Sequence, residues 1–116
     1  MIYYYFDNNC VNTQKIEGGI EMKDLYYIVR GDRSGVFFGK IEERNGQEVK
    51  MREVRRLWYW DGACSISELA LSGTKEPQNC NFTVTVDELT LIDAIEIIPC
   101  TEEAQKNILA VREWKY

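Results

Sequence analysis

The chain of 116 residues is 45% hydrophobic and 12% aromatic, and it carries a formal net charge of −5. This length and apolar content predict one folded domain, residues 1–116, rather than a disordered chain. The negative charge disfavours unspecific binding to DNA, because attraction to phosphates needs an uncancelled basic patch.

The first part of the chain is predicted to be rich in β-structure. The tyrosines and apolar residues of Met1–Asp7 favour an extended strand. Residues 8–19 contain several asparagines and two glycines, which predict a loop. A second strand is expected at Leu25–Arg30.

The next segment is typical of a β-hairpin. Gly35–Arg44 predicts a strand, and Asn45-Gly46 is a strong signal for a tight turn between two strands. The returning strand is expected to begin near Gln47 and to continue toward Trp60. Its alternation of apolar and polar residues fails at Glu53–Val54, which indicates a β-bulge or a break in the strand.

A short helix is expected after this hairpin. Residues 65–68 read Ser-Ile-Ser-Glu, the pattern of a capping box, in which the serine hydroxyl and the glutamate carboxylate each bind a backbone amide. The helix is expected to last about two turns, with Gly73 as its end.

The last third of the chain predicts more strands and a second helix. Phe82, Val84 and Val86 alternate with threonines, and Leu89–Pro99 indicates one or two further strands. Thr101 is expected to cap a final helix, and Trp114 to fix the tail. Together the elements predict an α+β fold, with a mainly antiparallel curved sheet or partly open barrel of about six strands and two short helices.

The residue types argue against catalysis and against a metal site. The chain has no histidine, so the most common general base is missing. Its four cysteines show no C-x-x-C spacing, so we expect reduced and largely buried thiols rather than a zinc site. We therefore predict a protein that is not an enzyme and that has no catalytic residue, metal or cofactor.

The sequence RRLWYWD combines guanidinium groups with three consecutive aromatic residues. If this segment is extended, Leu57 and Tyr59 face one way, whereas Arg56, Trp58 and Trp60 face the other. One face could therefore expose aromatic area beside a cation and bind a base or a protein. Alternatively, both faces are buried, which is the more common role of aromatic side chains. The candidate binding residues in this segment are Arg55, Arg56, Trp58, Trp60 and Asp61.

Charge is polarised along the sequence. Residues 30–56 hold eight basic and five acidic side chains, whereas residues 61–105 hold nine acidic side chains and one lysine. The acidic part could attract a partner with a basic groove, or it could simply keep the domain soluble. The candidate residues for such a contact are Asp87, Glu88 and Asp93.

Four segments together resemble an uncharacterised family of small proteins encoded by phages and prophages. They are YIVRGDRSGVFFGKIEERNG, RRLWYWDGACSISELALSGT, NCNFTVTVDE and IEIIPCTEEAQKNILAVREW. The resemblance covers about residues 25–116, and residues 1–24 look like a variable extension. It implies a viral or mobile-element gene expressed in the cytoplasm of a bacterial host, and it implies no catalytic residue.

Together these expectations predict a non-catalytic phage accessory protein that binds a protein or ribonucleoprotein of the bacterial host. It could be an anti-defence or host-takeover inhibitor that acts through an acidic surface. One alternative is a protein that binds or sequesters nucleotides through the Arg/Trp segment 55–61, and another is a virion or assembly component. The apolar runs are too short to cross a membrane and the N-terminal residues lack a secretory pattern, so a cytoplasmic location is expected.

Overall fold

The computed structural model describes residues 16–17, 20–21 and 25–116. The predicted strand Met1–Asp7 lies outside the described residues, as does most of the predicted loop 8–19. Ile16–Glu17 (β1) and Ile20–Glu21 (β2) form a small antiparallel pair, so the end of the predicted loop is extended.

The main feature is one antiparallel sheet of six strands with two helices. The order of the strands is β6-β5-β4-β3-β8, and β7 also pairs with β5. The α+β fold expected from the sequence is thus confirmed, with a sheet that stays open rather than closing into a barrel. The elements are β3 (Tyr26–Gly31), β4 (Val36–Asn45), β5 (Glu48–Tyr59), α1 (Ile66–Ser72), β6 (Asn81–Phe82), β7 (Val86–Leu91), β8 (Ala94–Pro99) and α2 (Glu102–Ala110).

One strand predicted from sequence is interrupted in the structure. The segment from Phe82 to Val86 forms β6, a break at 83–85, and the start of β7. At the break, the amide of Arg56 donates to the Thr83 hydroxyl (2.9 Å) instead of a backbone carbonyl. The side chain therefore interrupts the ladder, and β6 and β7 lie end to end along one edge of β5.

The irregularity expected at Glu53–Val54 is a β-bulge. Lys40 pairs with Arg52 and Phe38 with Arg55, so Glu53 and Val54 both lie opposite Gly39. Glu53 has a φ of 52°, and a Cβ on Gly39 would lie 3.0 Å from the Val54 side chain and 3.1 Å from the Glu53 carbonyl oxygen. A bulge increases local twist, and it bends β5 at its middle.

The sheet curls strongly. Only two residues separate Leu91, at the end of β7, from Ala94, at the start of β8, so their Cα atoms are at most about 11 Å apart. In a flat sheet the four strand spacings from β7 to β8 would amount to about 19 Å. The amide of Ala94 also donates to the carbonyl of Gln47 at the hairpin tip (3.1 Å), which brings that tip back over the sheet.

Two hydrophobic cores lie on the two sides of this sheet. Neighbouring residues of β4 point into different cores because side chains alternate along a strand. The helix-side core contains Tyr26, Ile28, Phe38, Leu57, Leu69, Ala70, Cys80, Phe82, Cys100, Ala104, Ile108 and Val111. The inner core contains Val29, Phe37, Val49, Met51, Val54, Leu91 and Ala94.

Both helices begin as the sequence predicts. The Ser65 hydroxyl accepts the amide of Glu68 (3.2 Å), and the Glu68 carboxylate accepts the amide of Cys64 (2.8 Å), one residue earlier than in the standard capping box. Thr101 caps α2 by accepting the amide of Ala104 (3.0 Å). Within the described part of the chain, no helix is long and apolar enough to cross a membrane.

Candidate partner-binding surface

Two tryptophans form an exposed stacked pair at one end of the sheet. Trp58 of β5 is 63% exposed and Trp114 of the C-terminal tail is 44% exposed. Their ring centroids are 6.3 Å apart and their planes differ by 14°, which is an offset-stacked geometry. We call this pair the aromatic surface.

Strand alternation and a single bridge to β6 place the two rings together. Leu57 enters the helix-side core, so Trp58, the next residue, faces away from it. The tail runs beside β6, where Glu113 bridges Phe82 and the amide of Trp114 donates to the Phe82 carbonyl (2.8 Å). The tail therefore extends the sheet beyond β6 and brings Trp114 onto Trp58.

Arg56 lies two residues before Trp58 on the same strand and is half-buried. Its guanidinium carbon is 4.5 Å from the centroid of the Phe37 ring, and its Nη1 donates to the Ser34 carbonyl (2.6 Å). No carboxylate of the described residues forms an ion pair with it. Arg56 therefore places a positive charge on the same face of β5 as Trp58, with its guanidinium held over Phe37 of β4 and next to Ser34.

Arg55, in contrast, is not available to a ligand. It is only 2% exposed, and its guanidinium donates four hydrogen bonds to backbone carbonyls of other segments. Burial lowers the pKa of the Arg55 guanidinium, and the negative charge of Glu113 partly opposes this. An arginine still stays charged in such a site. The structure therefore corrects the expectation that Arg55 holds a ligand. Its acceptors are the carbonyl oxygens of Phe82, Thr83, Ile108 and Arg112.

The remaining residues of this segment do not join the aromatic surface. β5 ends at Tyr59, and Trp60 turns to pack against the helix-side core. Asp61 is exposed, but its carboxylate accepts the amide of Gly62 (3.0 Å), and its carbonyl accepts the Thr74 hydroxyl. The two interpretations left open by the sequence therefore apply to different residues, because Trp60 is core whereas Trp58 is surface.

Two carboxylates of the acidic segment, Glu88 and Glu96, form ion pairs with basic residues of neighbouring strands. Glu88 on β7 forms ion pairs with Lys50 (3.4 Å) and Arg52 (3.5 Å) on β5. Asp87 is exposed and lines a shallow groove of about 540 Å³, with no ion pair to any other described residue. The polarity seen along the sequence is therefore cancelled where β7 pairs with β5. The groove is lined by Lys40, Ile41, Glu42, Arg52, Glu53 and Asp87.

Asp93 holds a turn rather than presenting its charge. Its carboxylate accepts the amides of Arg33 (2.8 Å) and Ser34 (3.1 Å) and the Ser34 hydroxyl (2.7 Å). These bonds hold the pKa of Asp93 below its ordinary value, the amide of Arg33 having the largest effect. The carboxylate thus ties the β7–β8 connection to the turn between β3 and β4.

Replacing this carboxylate is expected to make folding stability less dependent on pH. Because the pKa of Asp93 is lowered in the folded state, its contribution is complete above the unfolded pKa and is lost as the pH falls through the folded pKa. Asp93→Asn should therefore lower the urea midpoint clearly above pH about 5 and much less below pH about 3. Urea unfolding of both proteins across this range measures the effect, and parallel curves for the two proteins would contradict it.

The cysteines form no metal-binding cluster in the part of the chain that the structure describes. Cys80 and Cys100 are buried and Cys64 is exposed, all as free thiols. Burial raises the pKa of the Cys100 thiol to about 12, so it stays protonated. Residues 25–116 contain no group of three cysteines or carboxylates placed to hold a metal ion. Cys10 lies outside the described residues.

Comparison with known proteins gives one match. The model of a family described as a domain of unknown function, DUF6948, matches residues 25–108. The chain belongs to this family. The resemblance to an uncharacterised family is thus confirmed over the DUF6948 core, which extends from the residue before β3 into α2. No curated protein and no solved structure matches the chain.

The DUF6948 match contains Trp58 but ends before Trp114. Sequence reasoning gave Trp114 only the role of fixing the tail, and it missed its part in the aromatic surface. No local pattern connects residues 58 and 114, because they meet only through the pairing of the tail with β6.

Proposed function

We propose that this protein is a non-catalytic binding protein that recognises a partner protein through its aromatic surface. The observation that carries the proposal is the stacked and exposed pair Trp58–Trp114. Large exposed apolar groups mark interaction sites, and tryptophan and arginine are enriched among the residues that dominate binding energy. Arg56 lies two residues before Trp58 on the same face of β5 and adds a cation on that side of the sheet.

A protein partner fits this surface better than a nucleic acid does. The net charge of −5 repels phosphates, and Arg55 is withdrawn into the interior. The acidic-surface mechanism expected from the sequence has less support, since Glu88 is paired and Asp93 closes a turn. Of the three candidates, only Asp87 is both exposed and without an ion pair to another described residue.

The resemblance noted in the sequence supports a phage or prophage origin, and on that basis the partner belongs to a bacterial host. An accessory protein that blocks a host complex needs only a tight contact and no chemistry, which agrees with the residue types described above. Inhibition of a host defence complex is therefore the biological role that we propose for this contact.

Replacing either tryptophan should abolish tight binding. A photo-reactive benzoylphenylalanine at position 58 or 114 keeps an aromatic ring there, so in host cells it should cross-link one defined protein. The same group at Leu71, which is exposed on α1, is the matched control. With that partner purified, Trp58→Ala and Trp114→Ala should each raise the dissociation constant by about 30-fold or more, since interface tryptophans contribute about 2 kcal/mol or more.

Equal cross-linking from position 71, or unchanged affinity of both tryptophan variants, would contradict binding through the aromatic surface. Three other results would each support a different function. Binding that is lost with salt and with Asp87→Lys would instead support the acidic-surface mechanism. A nucleotide that raises the melting temperature of the wild type but not of Trp58→Ala would favour a nucleotide-binding function, to which Arg56 beside Trp58 gives some support. Presence of the protein in purified phage particles would favour a virion component.

A further inference from the structure

Arg55 connects three separate parts of the chain. From β5, its Nη1 donates to the carbonyl of Ile108 in the last turn of α2 (2.8 Å). Its Nη2 donates to Phe82 of β6 (3.2 Å) and to Arg112 of the tail (3.3 Å). One side chain therefore holds β6, the end of α2 and the tail in a single arrangement.

The bonding of this guanidinium is unusual for a buried cation. No carboxylate of the described residues lies within ion-pair distance of it, and its partners are all backbone carbonyl oxygens. The carbonyls in the last turn of a helix lack their usual partner four residues on and carry partial negative charge, so the end of α2 is a suitable place for a cation. The Ile108 carbonyl accepts the amide of Val111 (3.2 Å) as well as Arg55. A buried charge is tolerated only when its hydrogen bonds are made, so this site favours one geometry strongly.

The tail has few other attachments. Beyond Val111, whose side chain joins the helix-side core, the backbone is held by the bridge of Glu113 to Phe82 and by the amide of Trp114. The Arg112 side chain adds one exposed bond, to the Gln78 carbonyl (3.3 Å). Ordering each tail residue costs about 1–2 kcal/mol of backbone entropy, which one bridge does not offset. The bond from Arg55 to the carbonyl of Arg112 fixes the chain two residues before Trp114.

We infer that Arg55 is a positioning residue that fixes the tail against β6 and thereby sets the Trp58–Trp114 stack. Its importance for partner binding rests on the proposed function, whereas its effect on the tail does not. Arg55 lies inside the part of the chain that the family model matches, whereas the tail lies after the end of that match. A buried residue of the family domain therefore orders a segment outside it. The aromatic surface is therefore a composite of β5 and a tail held by Arg55.

The first test compares Arg55→Lys and Arg55→Met in the full chain. Lysine keeps the charge but lacks the planar fork that reaches several carbonyls, and methionine keeps the apolar length. In both, the amide of Trp114 should exchange with solvent at least about tenfold faster, because the tail opens locally, while amides of β3 and β4 keep their exchange rates. Coupling between the stacked indoles in the circular dichroism spectrum should also be lost.

Arg112→Met is the matched control, since it removes the Arg112 guanidinium and its bond to the Gln78 carbonyl (3.3 Å) but leaves the backbone carbonyl that Arg55 binds. It should keep both the exchange rate of the Trp114 amide and the indole signal. Trp58→Ala should also keep the Trp114 amide protected, because the hydrogen bonds from Arg55, and not the stacking of the two indoles, hold the tail. A tail that stays protected in the folded Arg55 variants, or that opens as fully in Trp58→Ala, would overturn the inference.

A measurement on the unmodified protein covers the case in which both Arg55 variants fail to fold. In nitrogen-15 spectra of the wild type, the Nε–H of Arg55 should exchange about 100-fold more slowly than those of exposed arginines. Arg55 is buried, and this group donates to the carbonyl of Thr83. Exchange as fast as that of Arg33, which is exposed, would contradict the positioning role of Arg55. These readouts need no partner, so a failed positioning role and a failed binding function can be told apart.

Discussion

Phe38→Ala is expected to lower the free energy of unfolding by about 3–5 kcal/mol, the range for removing a buried phenylalanine. Phe38 is fully buried in the helix-side core, and its ring stacks on Tyr26 with centroids 4.8 Å apart. The strands and both helices meet around it, so the cavity would not collapse easily. Because a domain of this size is stable by about 5–15 kcal/mol, the variant should be close to unfolding. Urea denaturation followed by circular dichroism measures the loss.

Phe37→Ala is the informative comparison. Phe37 is the next residue on β4 but belongs to the inner core, where the guanidinium of Arg56 covers its ring. If the two cores form one cooperative unit, both variants unfold in a single transition with coincident probes. A second transition in either variant would show that the curled part of the sheet and the helix-covered part unfold separately. A loss below about 1 kcal/mol for Phe38→Ala would contradict the packing described here.

Elements encoded by neighbouring residues were predictable. The hairpin at Asn45-Gly46 and the capping box at Ser65 each depend on a few adjacent side chains, and the structure confirms them. The bulge was visible because the apolar alternation of β5 fails at Glu53. Such signals depend on backbone geometry over a few residues, which the sequence displays directly.

Features that depend on long-range pairing were not predictable. Thr83 interrupts a segment that reads as one strand, because its hydroxyl takes an amide from a residue 27 positions away. Arg55 and Arg56 are adjacent and chemically identical, yet one clamps carbonyls in the interior while the other lies at the surface. Only the approach of β6 and the tail to β5 decides between these roles.

The distribution of charge on the surface also depends on strand pairing and not on the order of residues in the sequence. An acidic segment that follows a basic one suggests two poles, but antiparallel pairing places Glu88 beside Lys50 and Arg52. Sequence polarity becomes surface polarity only when the strands that carry it do not pair. This pairing is why the aromatic surface, and not the acidic residues, carries the proposed function.

Position 62, directly after the aromatic segment, requires a glycine because of its close contacts and its backbone conformation. The chain crosses the loop at 74–76 there, and the amide of Lys75 donates to the Gly62 carbonyl (3.1 Å). A Cβ at this position would lie 2.5 Å from the backbone nitrogen of Glu76 and 2.7 Å from that of Lys75. Gly62 also has a φ of +84°, which side chains disfavour. The close approach and the backbone conformation therefore both exclude a side chain.

Gly62→Ala is expected to destabilise the fold by about 3 kcal/mol, the sum of a strained backbone and an overpacked contact. Gly46→Ala separates the two causes, because Gly46 has a φ of +65° but a Cβ there would meet nothing within 4 Å. The hairpin variant should therefore lose only about 1 kcal/mol, from backbone strain alone. Urea unfolding of the two variants in parallel measures the difference. Equal losses would mean that the loop at 74–76 moves away freely, and that the turn after Trp60 is not held as tightly as its contacts indicate.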